Sequence, residues 1–228
     1  MNVVVSVGGS VLAPDLDSGR VAAYAEALQS LDEQGHTLGA VVGGGPTARR
    51  YIGAARDLGA NEIELDQLGI AVTRLNGRLL IAALDDRAAS TPAESYEAGR
   101  EAIRRGDIPV LGGIVAAQTT DAVAAAFAEY VDADLLVYAT SVPGVYDADP
   151  NEDPEATRFD EITADELVGV IAEMEMDAGS NAPVDLLAAK VIQRSGIPAV
   201  VLDGTDPERV VRAVRDDDFD GTEVLPEG

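Results

Sequence analysis

The sequence predicts an α/β protein built around a buried, mainly parallel sheet. Three observations predict it. Short runs of Val, Ile and Leu recur along the chain, too continuous to leave one face in water. Most of them run into a Gly-rich turn. Helix-patterned segments follow those turns, and alternation of this kind lays strands side by side in parallel.

The elements follow in order. The first run is "NVVVSV" (2–7), which leads to "GGS". Asp17 or Ser18 opens a helix whose buried stripe is Val21, Tyr24, Ala25, Leu28 and Leu31, and Gly35 ends it. "TLGAVV" (37–42) leads to "GGGP". Residues 62–84, "EIELDQLGIAVTRLNGRLLIAAL", read as one long helix in spite of Gly69 and Gly77. "IPVLGG" (108–113) precedes "TTDAVAAAFAEYV", a helix with Thr and Asp at its start. "DLLVYA" (134–139) leads to "TSVPGVYDADP". "TADELVGVIAEM" begins with Thr163 and Glu166 at capping-box spacing. "IPAVVL" (197–202) leads to "DGTDPERVVRAV". The stretch 142–162 has a different texture, rich in Pro and Asp, and reads as a hairpin or lid. No linker or repeat divides the 228 residues, so residues 1–228 are expected to form a single domain.

Composition excludes several functions. Cys is absent, which removes disulfides, thiol nucleophiles and Cys-based zinc sites. The single His36 lies in a turn before a strand and has no second His to work with. No apolar run is long enough to span a membrane, and the start lacks the basic residues of a signal peptide, so a cytoplasmic location is expected. Asp and Glu total 41 against 16 Lys and Arg, a net charge of −25 that repels nucleic acid and anionic membranes. Acidic excess with almost no lysine suggests adaptation to concentrated salt, which screens the self-repulsion.

Three glycine loops stand where α/β sheets bind ligands: Gly8-Gly9-Ser10, Gly43-Gly44-Gly45 and Gly112-Gly113. Glycine lets backbone N–H groups approach a phosphate, and a following helix N-terminus adds partial positive charge. Three such loops favour a polyphosphate site over coincidental turns. The P-loop pattern G-x-x-x-x-G-K-[ST] is absent. Gly43 to Ala48 fits G-x-G-x-x-A formally, but it follows the second strand, holds Pro46 in the turn and lacks the downstream acidic strand end.

Together "VGGSVL", "VVGGGPTARRYI", "LDQLGIAVTRLNGRLLIAAL", "TTDAVAAAFAEYVDADLLVYATSVPGVYDADP" and "DLLAAKVIQRSGIP" resemble, in this order, the amino-acid-kinase superfamily. The likeness is strongest to its archaeal-type uridylate kinases and runs from Val3 to the C-terminal tail. It implies a single αβα sandwich, transfer of the γ-phosphoryl of ATP to UMP in pyrimidine nucleotide synthesis, Mg²⁺ carried with ATP, and a homo-oligomer, in the family a hexamer. It points to no protein-bound metal site. Other small-acceptor kinases of the superfamily, acting on carbamate, an amino-acid carboxylate or isopentenyl phosphate, are the near alternative. A nucleotide-binding sensor or storage protein on the same fold is the distant one.

The resemblance assigns roles to residues. Gly9, Ser10, Gly45 and Arg49 match ATP contacts. Thr140, Ser141, Tyr146 and Asp149 match the adenine and ribose side. Gly44 and Asp66 match UMP contacts, Asp66 on the ribose, and Ile114, Val115, Ala116, Ala117, Gln118, Thr119 and Thr120 match the loop that holds UMP. Read without the family, Asp66 is a solvated helix residue, Tyr146 a packing aromatic and Asp149 a turn residue. Two places depart from common family patterns: Ser6 stands where many members carry lysine, a lysine the archaeal enzymes also lack, and "IVAAQ" is less polar than the usual acceptor loop.

Lys190 is the only lysine in the chain. A lone lysine snorkelling from a helix needs no function. Its place, however, matches a superfamily lysine that contacts the transferring phosphoryl group, and Leu186 and Leu187 at i−4 and i−3 put it on an apolar face. Phosphoryl transfer needs alignment and charge stabilisation more than covalent help, and an ammonium is a compact charge. Lys190 is therefore the expected catalytic cation. Asp121 matches a carboxylate that orients the cationic and metal groups, and it is equally placed to complement a helix N-terminus.

Overall fold

β1 (Asn2–Val7) lies inside the sheet, flanked by two parallel strands, β2 (Thr37–Val42) and β4 (Leu135–Thr140). The structure is a computed structural model that describes residues 1–150, 153–176 and 184–226. These residues form a seven-stranded sheet. β3 (Val110–Leu111) pairs with β2 and β6 (Ala199–Asp203) with β4, both parallel. β7 (Gly221–Leu225) runs antiparallel to β6, and β5 (Glu161–Thr163) closes that edge parallel to β7.

The five apolar runs read from the sequence all contribute strands. The run at 108–113 contributes least, and its glycines explain why. A Cβ at Gly112 would lie 2.5 Å from Thr73 Oγ1, and one at Gly113 2.8 Å from Ile70 Cγ1. The chain leaves the sheet there and runs against a helix. β5 and β7 carry no comparable run of aliphatic residues, and the sequence did not announce them.

The helices cover both faces. α1 (Gly9–Leu12), α2 (Ser18–Glu33), α3 (Gly45–Asp57), α4 (Glu62–Leu84) and α5 (Tyr96–Arg105) precede the third strand. α6 (Thr120–Tyr130), α7 (Ala164–Met176), α8 (Leu186–Ser195) and α9 (Glu208–Asp216) follow it. Alternation along β1 divides the core in two. Val3, Val5 and Val7 pack with Leu28 and Leu31 of α2, Leu80 of α4 and Val211 of α9. Val4 packs on the other face with Phe127 of α6, Ile171 of α7 and Ile192 of α8. This is the expected αβα sandwich. Among the described residues no helix is long and apolar enough to cross a membrane.

Local signals agree with the helix ends. Asp17, not Ser18, caps α2: its carboxylate accepts from the Gly19 N–H at 2.9 Å. All five residues of the expected stripe are buried, and Gly35 follows with φ +89°. Thr163 and Glu166 form the expected reciprocal cap, 3.2 Å from Glu166 N to Thr163 Oγ1 and 3.0 Å from Thr163 N to Glu166 Oε2. A second such box, Asn61 with Glu64, opens α4.

The segment 142–162 folds back on itself. Phe159 N donates to Val145 O at 2.9 Å and Asp147 N to Thr157 O at 3.1 Å. Its last residues, Glu161 and Ile162, belong to β5. Asn151 and Glu152, within this stretch, lie outside the described residues.

Candidate active site

The glycine loops meet at the carboxyl edge of the central strands. Gly8 N donates to Ala139 O at 3.0 Å and Gly43 N to Val7 O at 2.9 Å, so the loops continue the ladder of β1, β2 and β4. A Cβ at Gly9 would lie 2.3 to 2.5 Å from backbone atoms of Gly45, Gly43 and Gly44. The first two loops therefore touch backbone to backbone, which only glycine allows. α3 starts from the second loop, with Pro46 in its first turn. Its unpaired N–H groups give this corner the partial positive charge that an anion needs.

Beside the loops opens a cavity of about 460 Å³. Gly44, Gly45, Arg49, Asp66, Ala117, Gln118, Thr119 and Thr120 line it, together with Ile70 and Thr73 of α4. Eight residues singled out from the sequence thus share one space, though they come from three separate segments. A volume of this order suits a small ligand. A second cavity of similar size, lined by Leu16, Thr47, Arg50, Tyr51 and Ala54, contains none of the expected residues.

Within the first cavity the acceptor loop rests on α4. Asp66 Oδ2 accepts from the Ala117 N–H at 2.7 Å. Ala117 has φ +63°, a conformation that favours glycine. Not all of the loop faces inward. Val115 is 57 % exposed, Ile114 packs against the core, and the Gln118 amide donates to the Tyr96 hydroxyl at 3.2 Å. Thr119 caps α6, accepting from Ala122 N at 3.1 Å, so the positive end of that helix opens beside the cavity.

Asp121 sits in the first turn of α6. Ser6 Oγ approaches its carboxylate at 3.5 Å, and the Tyr138 hydroxyl donates to its backbone carbonyl at 3.0 Å. Burial pushes its carboxyl up to about 7; the nearby Asp185 carboxylate adds to the rise and Ser6 lowers it. Asp185 was not singled out from the sequence. It caps α8, accepting from Leu187 N at 2.8 Å and Ala188 N at 3.0 Å, and Thr119 Oγ1 donates to its other oxygen. An Asp directly before "LLAAK" is an N-cap signal; its junction with Thr119 is not local information. Among the described residues no group of three His, Asp or Glu side chains stands close enough to hold a metal ion.

The remaining expected residues are placed as follows. Ser10 is half-buried in α1. Thr140 ends β4 next to Gly8, and its hydroxyl both donates to Val142 O (2.7 Å) and accepts from Val142 N (3.0 Å). Ser141 is exposed, Tyr146 bridges to Arg158, and Asp149 is 6 % exposed. Ala116 is half-buried in the acceptor loop. Lys190 Nζ donates to Gln193 Oε1 at 3.2 Å, and the Gln193 amide donates to Asp165 of α7. Lys190 is itself exposed and Leu187 is 48 % exposed, while Leu186 packs against the core, so the expected apolar face is only partly covered.

Known proteins match this chain over its whole length. The model of the Amino acid kinase family matches residues 1–203. A protein of Haloarcula marismortui named Uridylate kinase is 86 % identical over 227 residues, covering 100 % of both chains. One of the same name from Halobacterium salinarum is 66 % identical over 228 residues, covering 100 % of this chain and 95 % of the other. The solved structure of Uridylate kinase from Archaeoglobus fulgidus matches with a TM-score of 0.89 at 40 % identity, over 99 % of this chain and 100 % of that one.

Proposed function

The chain belongs to the amino acid kinase family, and from that premise we propose that it is a UMP kinase, converting ATP and UMP to ADP and UDP in pyrimidine nucleotide synthesis. The observation that carries the reading is the shared cavity. Gly44 and Gly45 of the second glycine loop, Arg49, the capped N-terminus of α6 and the Asp66 carboxylate converge on it, and the first glycine loop touches the second.

Each part has a task. Gly9, Ser10 and Gly45 take the phosphates of ATP at the glycine loops, Gly44 contacts UMP, and Thr140, Ser141, Tyr146 and Asp149 take the adenosine of ATP. Mg²⁺ carried with ATP would supply charge neutralisation on the triphosphate. The acceptor phosphate lies at the N-terminus of α6 by Thr119 and Thr120, held by the loop 114–118, and Asp66 accepts from the ribose. One oxygen of Asp66 already takes the Ala117 N–H, which leaves the other for this contact. An oxygen of the UMP phosphate then bonds to Pγ as the bond from Pγ to the β,γ-bridging oxygen breaks, and ADP leaves with that electron pair. The acceptor phosphate is anionic near neutrality, so no general base is required. Arg49 and Lys190 are the proposed cations for the equatorial oxygens; Lys190 must leave Gln193 to serve. Asp121 orients the cationic groups.

We propose a hexamer as the working assembly. Exposed apolar side chains on and between α3 and α4 support association: Tyr51 is 57 %, Leu58 89 %, Ile63 52 % and Leu75 57 % exposed.

The test is turnover with Mg-ATP in molar KCl against UMP, CMP, dUMP, AMP, carbamate, acetylglutamate and isopentenyl phosphate, following ADP. Rapid turnover with UMP is expected. A preference for carbamate, acetylglutamate or isopentenyl phosphate would refute the acceptor assignment, and a folded protein that binds ATP but turns over none of them would refute the kinase reading.

A further inference from the structure

α4 buries two polar side chains one turn apart, Thr73 at 6 % and Asn76 at 2 % exposure. Buried polar groups cost stability unless they are bonded, so their partners state their purpose. Asn76 Nδ2 donates to the carbonyls of Gly43 (2.9 Å) and Gly44 (3.2 Å). Thr73 Oγ1 accepts from the Gly113 N–H at 2.8 Å and donates to Ile70 O at 2.7 Å. One turn of helix thus holds the second glycine loop by its carbonyls and the root of the acceptor loop by its amide.

The direction of these bonds matters. In a planar trans peptide the C=O and the following N–H point opposite ways. Holding the carbonyls of Gly43 and Gly44 toward Asn76 therefore turns the N–H groups of Gly44 and Gly45 away from α4. Gly44 and Gly45 line the cavity, and Thr73 lines it from the helix side. Both loops lie against the same residue: a Cβ at Gly112 would lie 2.5 Å from Thr73 Oγ1, and one at Gly44 3.5 Å from Thr73 Cγ2.

We infer that Thr73 and Asn76 are positioning residues for phosphoryl transfer: they aim the peptide planes of the glycine loop and fix its spacing from the acceptor loop. The inference rests on the UMP kinase reading, which turnover of UMP by the unaltered protein decides separately. Alignment of reacting groups governs this chemistry, so loss of a brace affects rate and not only stability.

The test is steady-state kinetics of the full chain with melting measured alongside. Thr73→Val keeps the shape and removes the hydroxyl; KM for UMP is expected to rise about tenfold with KM for ATP within about twofold. Thr73→Ser restores the bond and should return KM for UMP to within about twofold of the parent. Asn76→Leu frees the glycine loop between the two substrates and should lower kcat about tenfold or more. Should Asn76→Leu not fold, Asn76→Ser is read by the same criterion. Val and Ser at position 73 behaving alike would overturn the inference. So would a position-76 variant that melts lower yet keeps its kinetic constants within about twofold of the parent.

Discussion

Consider Asp121→Asn. The parent carboxyl is buried beside Asp185, and its pKa is raised from 3.8 to about 7. The substitution keeps the shape, the acceptor that faces Ser6 and the backbone carbonyl that takes the Tyr138 hydroxyl. It removes only the charge. The folded protein holds this proton more tightly than the unfolded chain does. Folding stability from this group is therefore full below about pH 4 and is lost as pH rises toward about 7. A shift of this size is about 4 kcal/mol above pH 7, and water reaching the partly open side chain reduces it to about 2. Asp121→Asn should then melt roughly 4 to 8 °C above the parent at pH 8. The gap should shrink to a few degrees by about pH 4.5, where the parent is protonated in the fold. Other titrating groups are common to both proteins and cancel. The assay is differential scanning calorimetry at both pH values in molar KCl, on protein without nucleotide. A gap that does not change with pH, or a variant that melts lower at pH 8, would refute the reasoning. In the same preparation turnover should fall, because a neutral amide cannot orient the cationic groups. A gain in stability joined to a loss of rate marks a charge retained for function.

The other predictions are simpler. Lys190→Met separates the proposed role of Lys190 from its resting contact with Gln193: a cation that reaches the phosphoryl group makes kcat fall about 100-fold, whereas kcat within about threefold would leave Lys190 only a partner of Gln193, which ties α8 to α7. Gly9→Ala places a Cβ within 2.5 Å of rigid backbone in the neighbouring loop. It should raise KM for ATP at least about tenfold and destabilise by about 1–3 kcal/mol; near-parent ATP kinetics would show that the loops can part.

Much of the fold was legible because its signals are local. "NVVVSV" and "TLGAVV" could only be buried strands, and the stripe from Val21 to Leu31 could only be one helix face. β5 and β7 were not legible: Glu161–Thr163 and Gly221–Leu225 are short and half polar, and the edges β6 and β7 supply make them strands. In the site, residue types at the glycine loops and the start of α6 were legible as phosphate-binding chemistry. Thr73 and Asn76 were not. In the sequence they are ordinary polar residues of a helix, and only the two loops lying against them give them partners.

The sequence by itself therefore determined the α/β layering, the glycine loops and the family, since periodicity, capping and motif order are written along the chain. The tertiary structure alone decided which carboxyl has its titration pushed up toward neutral pH, which oxygen of Asp66 is already engaged, where the Lys190 ammonium rests, and how α4 holds both loops. Desolvation and hydrogen-bond partnership depend on what packs against a group, and residues 6, 121 and 185, or 43 with 76 and 113 with 73, become neighbours only when the chain is folded.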